Sequence, residues 1–160
     1  MRSYETSVPS YGDAMEFEAC GECGATGRWG TCEQLFHVLL ALDHERRQPW
    51  AAYHSVNVAC YLLQHPSLAS REVLAGQWSI VAIFVDEGLE AVHTLTARAV
   101  RRNNCRASGR AEIVGRPAPQ AVRPVGATIE DVSVDGSFPA TGYEGRIRLW
   151  ADATATARAS

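Results

Sequence analysis

Residues 51–66 read A-A-Y-H-S-V-N-V-A-C-Y-L-L-Q-H-P and predict a helix that ends before Pro66. The residue in front of a proline is disfavoured in helical geometry, so the helix should stop near Gln64. At about 100° per residue, one face is apolar and carries Val56, Ala59 and Leu63. The opposite arc carries uncharged hydrogen-bonding side chains: Tyr53, His54, Asn57, Cys60, Tyr61, Gln64 and His65. An arc of this kind predicts a buried polar network or a pocket wall.

Upstream of this helix, residues 20–24 read C-G-E-C-G, and Cys32 follows nine residues after Cys23. A turn of this kind can present both sulfurs to one tetrahedral ion, so it predicts a zinc site. A redox Cys-x-x-Cys is the rival interpretation, but such a pair usually begins a helix. Here it is followed by G-A-T-G-R-W-G, which is too rich in glycine to be helical. For Cys32, at an expected first helical turn, the roles of ligand, nucleophile and packing residue all stay open.

The two histidines of the 51–66 helix are the candidate nitrogen ligands. His54 and His65 are eleven residues apart, so they share a face but lie about 16 Å apart along a helix. At most one of them can join the cysteines unless the helix breaks before His65. The predicted zinc ligands are Cys20, Cys23, Cys32 and His54. His65 stays open as the alternative ligand or as a cation that caps the helix.

The same helix supplies the candidate catalytic groups, which would orient a substrate or move protons. They are Asn57, Tyr61, Gln64 and His65.

The rest of the chain predicts a mainly α protein, an irregular bundle of about five helices with a Cys-rich metal-binding loop at its start. Thr31 and Gln34 match a capping box, Ser70 matches an N-cap, and Gly88 should end a helix. Further helices are expected over 89–103 and 143–157, with a helical turn at 128–132. We expect a flexible arm at 1–17 and one domain over 18–160. A Pro/Gly-rich loop at 104–127 would include a short strand at 111–114.

Composition limits the function. The net charge is −3, which argues against nucleic acid as a partner, and all 15 basic residues are arginine, which excludes lysine Schiff-base chemistry. No stretch is apolar for the roughly 20 residues that a membrane span needs, and the N-terminus lacks a signal-peptide core. We therefore expect a cytoplasmic protein with no membrane partner. Five cysteines cannot all pair in internal disulfides.

The motifs that several of these residues form resemble those of a bacterial family of unknown function. Its members share a C-x-x-C-G opening, a C-x-x-x-F helix start and a helix of the form H-x₆-Y-x-x-Q-H-P. In this chain the elements are Cys20, Cys23, Gly24, Cys32, Phe36, His54, Tyr61, Gln64, His65 and Pro66. The segments T-I-E-D-V at 128–132 and W-A at 150–151 are similar to the family's C-terminal signature. The resemblance implies that the Cys/His set works as one unit, and it implies no activity.

These residues are compatible with three functions. The first is a metal-dependent hydrolase or transferase that acts on a small molecule, with an open zinc position. The second is a non-catalytic protein that binds a protein partner or a small ligand, with a closed structural zinc. The third is a thiol sensor that releases the metal on oxidation. Four protein ligands would favour the second, and three ligands plus water would favour the first.

Overall fold

The helices account for nearly all regular structure in the part of the chain that the structure describes. The structure is a computed structural model that describes residues 17–105 and 126–159. The six α-helices of these residues are α1 Cys32–His44, α2 His54–Gln64, α3 Arg71–Glu87, α4 Leu89–Cys105, α5 Ile129–Val132 and α6 Tyr143–Ala159. Two short 3₁₀ helices, Trp50–Tyr53 and Pro66–Leu68, flank α2. The mainly α prediction is confirmed.

The helix ends follow the local signals of the sequence. Thr31 and Gln34 form both hydrogen bonds of a capping box at the start of α1. The hydroxyl of Ser70 accepts the amide hydrogen of Val73 at the start of α3. Gly88, which ends α3, has a φ of +90°, in the region that favours glycine.

Some other predictions differ from the structure in detail, and some concern residues that the structure does not describe. The expected helix over 51–64 begins as a 3₁₀ turn, and α4 reaches Cys105 instead of about residue 103. The expected arm at 1–17, except for its last residue, and the expected strand at 111–114 lie outside the described residues. Most of the expected 104–127 loop does so too, and the division into an arm and one domain stays a prediction.

Helix α2 lies at the centre of the packing, against α3, α6 and α1. Its predicted apolar face, Val56, Ala59 and Leu63, is buried. The polar arc on its other side is largely buried as well, which leaves α2 covered nearly all round. A polar side chain in such a position needs a partner inside the protein.

Helix α6 closes the bundle over α2 and α3. Ile147, Trp150 and Ala151 form its fully buried side. The guanidinium of Arg148 donates to the backbone oxygens of Phe84 and Val85 near the end of α3. None of the helices described combines the length and the apolarity that crossing a membrane requires.

Candidate metal centre

The loop that precedes α1 folds tightly around its two cysteines. The amide of Cys20 donates to the oxygen of Ala25, and the amide of Gly24 donates to the oxygen of Cys20. Gly24 has a φ of +79°, which this turn requires and which a side chain would oppose. The amide of Ala25 points at the sulfur of Cys23, at 3.4 Å. The backbone thus holds both sulfurs on one side of the loop.

The third sulfur comes from the first turn of α1. The capping box of Thr31 and Gln34 fixes where this helix starts, and Cys32 is its first residue. The sulfur of Cys32 lies 3.4 Å from that of Cys23. The start of α1 thus places the third sulfur against the loop.

The fourth candidate ligand is the residue that ends α2. Pro66 stops the helix, and His65 follows its last turn with a φ of −128° and a ψ of 65°. The Nδ1–H of His65 donates to the backbone oxygen of Tyr61, at 2.8 Å. Because a carbonyl oxygen only accepts, Nε2 keeps its lone pair in the neutral ring, and it lies 3.5 Å from the sulfur of Cys20. Metal-binding histidines are usually oriented in this way.

These four residues form one group, which we call the Cys₃His cluster: Cys20, Cys23, Cys32 and His65. Their ligand atoms all lie within 4.8 Å of one another, and every member except Cys20 is buried. A tetrahedral zinc site with Zn–S of about 2.3 Å and Zn–N of about 2.0 Å has ligand–ligand distances of about 3.5–3.8 Å. The Sγ–Nε2 contact of 3.5 Å lies in this range, and the Sγ–Sγ contact of 3.4 Å lies just below it. The donor set therefore fits a metal ion.

The aromatic ring of Tyr61 forms one wall of the cluster. It stacks on Phe36 with a centroid distance of 3.8 Å and lies 4.4 Å from the ring of His65. Burial, and then the nearby charges of the thiols and Glu33, raise the pKa of Tyr61 to about 12. Tyr61 is thus a neutral wall of the site at physiological pH.

The side chains of the cluster differ in how readily they lose a proton. The hydrogen bond from Cys32 lowers the pKa of Cys23 to about 4, against the opposite effect of burial. That same hydrogen bond raises the pKa of Cys32. Burial alone would lower the pKa of His65, but its hydrogen bonds with Cys23 and with the Tyr61 backbone raise it to about 9. A bound cation would stabilise the deprotonated form of each ligand.

The structure places His54 away from this cluster. His54 begins α2, at the opposite end of the helix from His65, and its Nδ1 lies 2.5 Å from a carboxylate oxygen of Asp43. The predicted ligand set therefore changes in one member, since the structure brings His65 to the three cysteines in place of His54. The physical reason is the length of α2, because only the end that stops at Pro66 reaches the loop.

Of the four predicted catalytic residues, Asn57 and Gln64 point into the protein. Gln64 donates to the oxygen of Ala127 and to the hydroxyl of Thr154, and it accepts from the indole nitrogen of Trp150. Asn57 accepts from the hydroxyl of Tyr143, at 2.7 Å. Both side chains are buried, so they tie α2 to α6. Tyr61 and His65 lie at the cluster instead, and a catalytic role for any of the four stays a prediction.

Two carboxylates that the sequence did not single out fasten the loop to the helices. Glu130 of α5 accepts from the amides of Thr26 and Arg28 and from the hydroxyl of Thr26, at 2.6–2.9 Å. Glu22, between the first two cysteines, accepts from the amide and hydroxyl of Ser67, at 2.9–3.0 Å. The partners are 45 to 104 residues apart in the chain. No local pattern predicts contacts over such separations.

Comparison with known proteins gives a family and no function. Neither the comparison with curated proteins nor that with solved structures gives a match. The model of a family of unknown function (DUF5946) matches residues 18–159, which include the loop, the Cys₃His cluster and the C-terminal helix. This match covers nearly the whole chain and confirms the resemblance to a family of unknown function. The chain therefore belongs to the family of unknown function DUF5946.

Proposed function

We propose that the Cys₃His cluster binds one zinc ion as a closed, structural site. The protein would then work as a zinc-stapled helical domain that binds a protein partner or a small ligand, and no reaction would take place at the metal. The observation that carries this proposal is the complete set of four protein donors within 4.8 Å of one another. Structural zinc sites have four protein ligands, whereas catalytic sites leave one position to water or substrate.

The surroundings of the cluster support a structural role. Cys23 and His65 are only 1% and 4% exposed, which leaves little room for a substrate beside them. Three thiolates and one imidazole are a donor set that recurs in structural zinc sites. The hydrogen bond from His65 to the Tyr61 backbone holds the fourth ligand in place, as expected for a rigid site.

The position of the ligands shows what such an ion would hold together. Cys20 and Cys23 belong to the loop, Cys32 to α1, and His65 to the end of α2. The ion would thus join three segments at one point. Zinc that binds the folded chain and not the unfolded one adds its binding free energy to the stability of the fold.

Metal analysis of the purified protein tests the proposal. We expect one zinc per chain in the wild type and loss of stoichiometric zinc in Cys23→Ser, which removes the most buried sulfur of the cluster. Cys60→Ser is the matched control, because Cys60 is fully buried in α2 and is not part of the cluster. Zinc-free wild-type protein, or equal zinc in wild type and Cys23→Ser, would contradict the proposal.

A metal with a catalytic role is the second candidate, and the partial exposure of Cys20 favours it. Cys20 would then leave its position to water or substrate, with Cys23, Cys32 and His65 as the permanent ligands. The two candidates differ in Cys20→Ser. A structural site should lose most of its zinc affinity in this variant, as in Cys23→Ser, whereas a site with three permanent ligands should keep its zinc.

A further inference from the structure

A second group of polar side chains lies at the other end of α2 from the Cys₃His cluster. Asp43, in the last turn of α1, is 7% exposed, and the ring of His54 lies against it with Nδ1 2.5 Å from Oδ2. The His54 side chain is 58% exposed. A buried carboxylate thus supports an imidazole that faces outward. The metal centre does not use either residue.

The contact with Asp43 determines which ring nitrogen of His54 carries the proton. An ionised carboxylate only accepts, so Nδ1 must be the donor in this hydrogen bond. The neutral ring therefore carries its lone pair on Nε2, for which the described residues provide no hydrogen-bond partner. This is the arrangement of an imidazole that can accept a proton from a bound molecule.

Burial of the Asp43 carboxylate needs an explanation. A buried carboxylate is costly unless it is hydrogen-bonded. Within the described residues, the His54 ring is the only side chain that bonds this carboxylate. Asp43 thus holds a largely exposed imidazole in one orientation.

One turn along α2, an unsatisfied donor lies in the same region. Asn57 is fully buried, and its Nδ2 has no hydrogen-bond partner among residues 17–105 and 126–159. Its oxygen accepts from Tyr143. Burial raises the pKa of Tyr143, the hydrogen bond to Asn57 opposes this, and the charge of Asp43 raises it further. The Nδ2 of Asn57 is thus a donor that a buried water would satisfy.

The other histidines of the described residues differ from His54. The Nε2–H of His93 donates to the backbone oxygen of Ala52, at 2.7 Å, and its Nδ1 lies 3.9 Å from the carboxylate of Glu90, which is exposed and not buried. The Nδ1 of His65 bonds a backbone oxygen and its Nε2 faces a sulfur. His37 and His44 lie exposed on α1, and the structure shows no carboxylate on either ring. Among the histidines of the described residues, only His54 has a buried carboxylate at one ring nitrogen, Nδ1, and no hydrogen-bond partner at the other, Nε2.

We propose that His54 is a general base, positioned by Asp43, that takes a proton from water at the exposed end of α2. With a small ester as the probe substrate, water attacks the acyl carbon as Nε2 takes its proton. The bond from carbon to the leaving oxygen then breaks, and that oxygen takes the proton back from Nε2. Ester and water thus give acid and alcohol, and no metal takes part.

Hydrolysis of p-nitrophenyl acetate by the zinc-loaded full chain tests this proposal. We expect His54→Ala and Asp43→Asn to lower kcat/KM at least about tenfold, below the 10²–10⁴-fold that a positioned general base contributes. His44→Ala is the matched control, because this exposed histidine is the neighbour of Asp43, and it should keep the wild-type rate within about twofold. Equal loss in His44→Ala would mean unspecific catalysis by surface imidazoles and would overturn the proposal.

A second variant separates chemistry from folding. His54→Gln can still donate a hydrogen bond to Asp43, yet it has no basic nitrogen. We expect its melting temperature to stay at the wild-type value while its kcat/KM falls as in His54→Ala. Wild-type activity in His54→Gln would overturn the proposal, whatever the stability of Asp43→Asn. A solvent deuterium isotope effect on the part of the wild-type rate that His54→Gln loses is the further signature of proton transfer at this residue.

Discussion

At the scale of the residue, the two histidines of α2 have opposite surroundings. His65 is buried with its Nδ1 on a backbone oxygen and its Nε2 at a sulfur, whereas His54 is largely exposed and bonds a carboxylate. We expect His65→Ala to weaken zinc binding by more than about 100-fold, the upper end of the loss from a second-shell partner. His54→Ala should leave zinc affinity unchanged. A competition titration with a chelating dye measures both, and the reverse order of effects would contradict the ligand assignment.

Gln64 makes three hydrogen bonds, and all of them tie α2 to neighbouring segments. In Gln64→Leu, the indole N–H of Trp150 and the oxygen of Ala127 would lose a buried partner. We expect the free energy of unfolding to fall by about 2–4 kcal/mol, as measured by urea denaturation. The zinc content should not change.

The control for this variant is Gln77→Leu on α3. The Oε1 of Gln77 is buried and has no partner within the described residues. Its removal should therefore be close to neutral, because no satisfied hydrogen bond is broken. Equal losses in the two variants would show that the Gln64 contacts do not stabilise the fold.

At the scale of the element, the loop before α1 is held by carboxylates as well as by the proposed metal. Glu130→Ala would remove the acceptor for the amides of Thr26 and Arg28. We expect faster hydrogen exchange at these two amides, with an unchanged rate in the core of α2, because local opening does not require global unfolding. Glu87→Ala, an exposed acid at the end of α3, is the control. Unchanged exchange at Thr26 and Arg28 would contradict the docking role of Glu130.

Local signals predicted most element ends, and distant contacts decided the rest. The Thr31 capping box, the Ser70 cap, Gly88 and Pro66 each act on their own neighbours, so the sequence shows where helices begin and end. The choice between His54 and His65 depends instead on which end of α2 the loop meets. The position of the loop depends on contacts such as that between Glu130 and Thr26, which are 104 residues apart. A local sequence pattern cannot predict a contact over this separation.

At the scale of the whole molecule, the proposed zinc ion adds stability without creating the core. Helices α2, α3 and α6 bury their own apolar surface away from the cluster. Removal of zinc should therefore lower the melting temperature and free the loop, while most helical signal remains at 25 °C. Free zinc at 1,000 times Kd adds about 4 kcal/mol to the free energy of unfolding. At about 3 °C per kcal/mol, its removal should lower the melting temperature by about 12 °C. Circular dichroism before and after chelation measures this, and complete loss of helix at 25 °C would contradict it.

The central claim is that three sulfurs and one imidazole nitrogen form a closed site. X-ray absorption at the zinc edge of the metal-loaded full chain tests this most directly. We expect three sulfur neighbours at about 2.3 Å and one nitrogen at about 2.0 Å, with the imidazole scattering signature lost in His65→Ala and kept in His54→Ala. A first shell with two sulfurs, or with three sulfurs and a water oxygen in place of the imidazole, would contradict it.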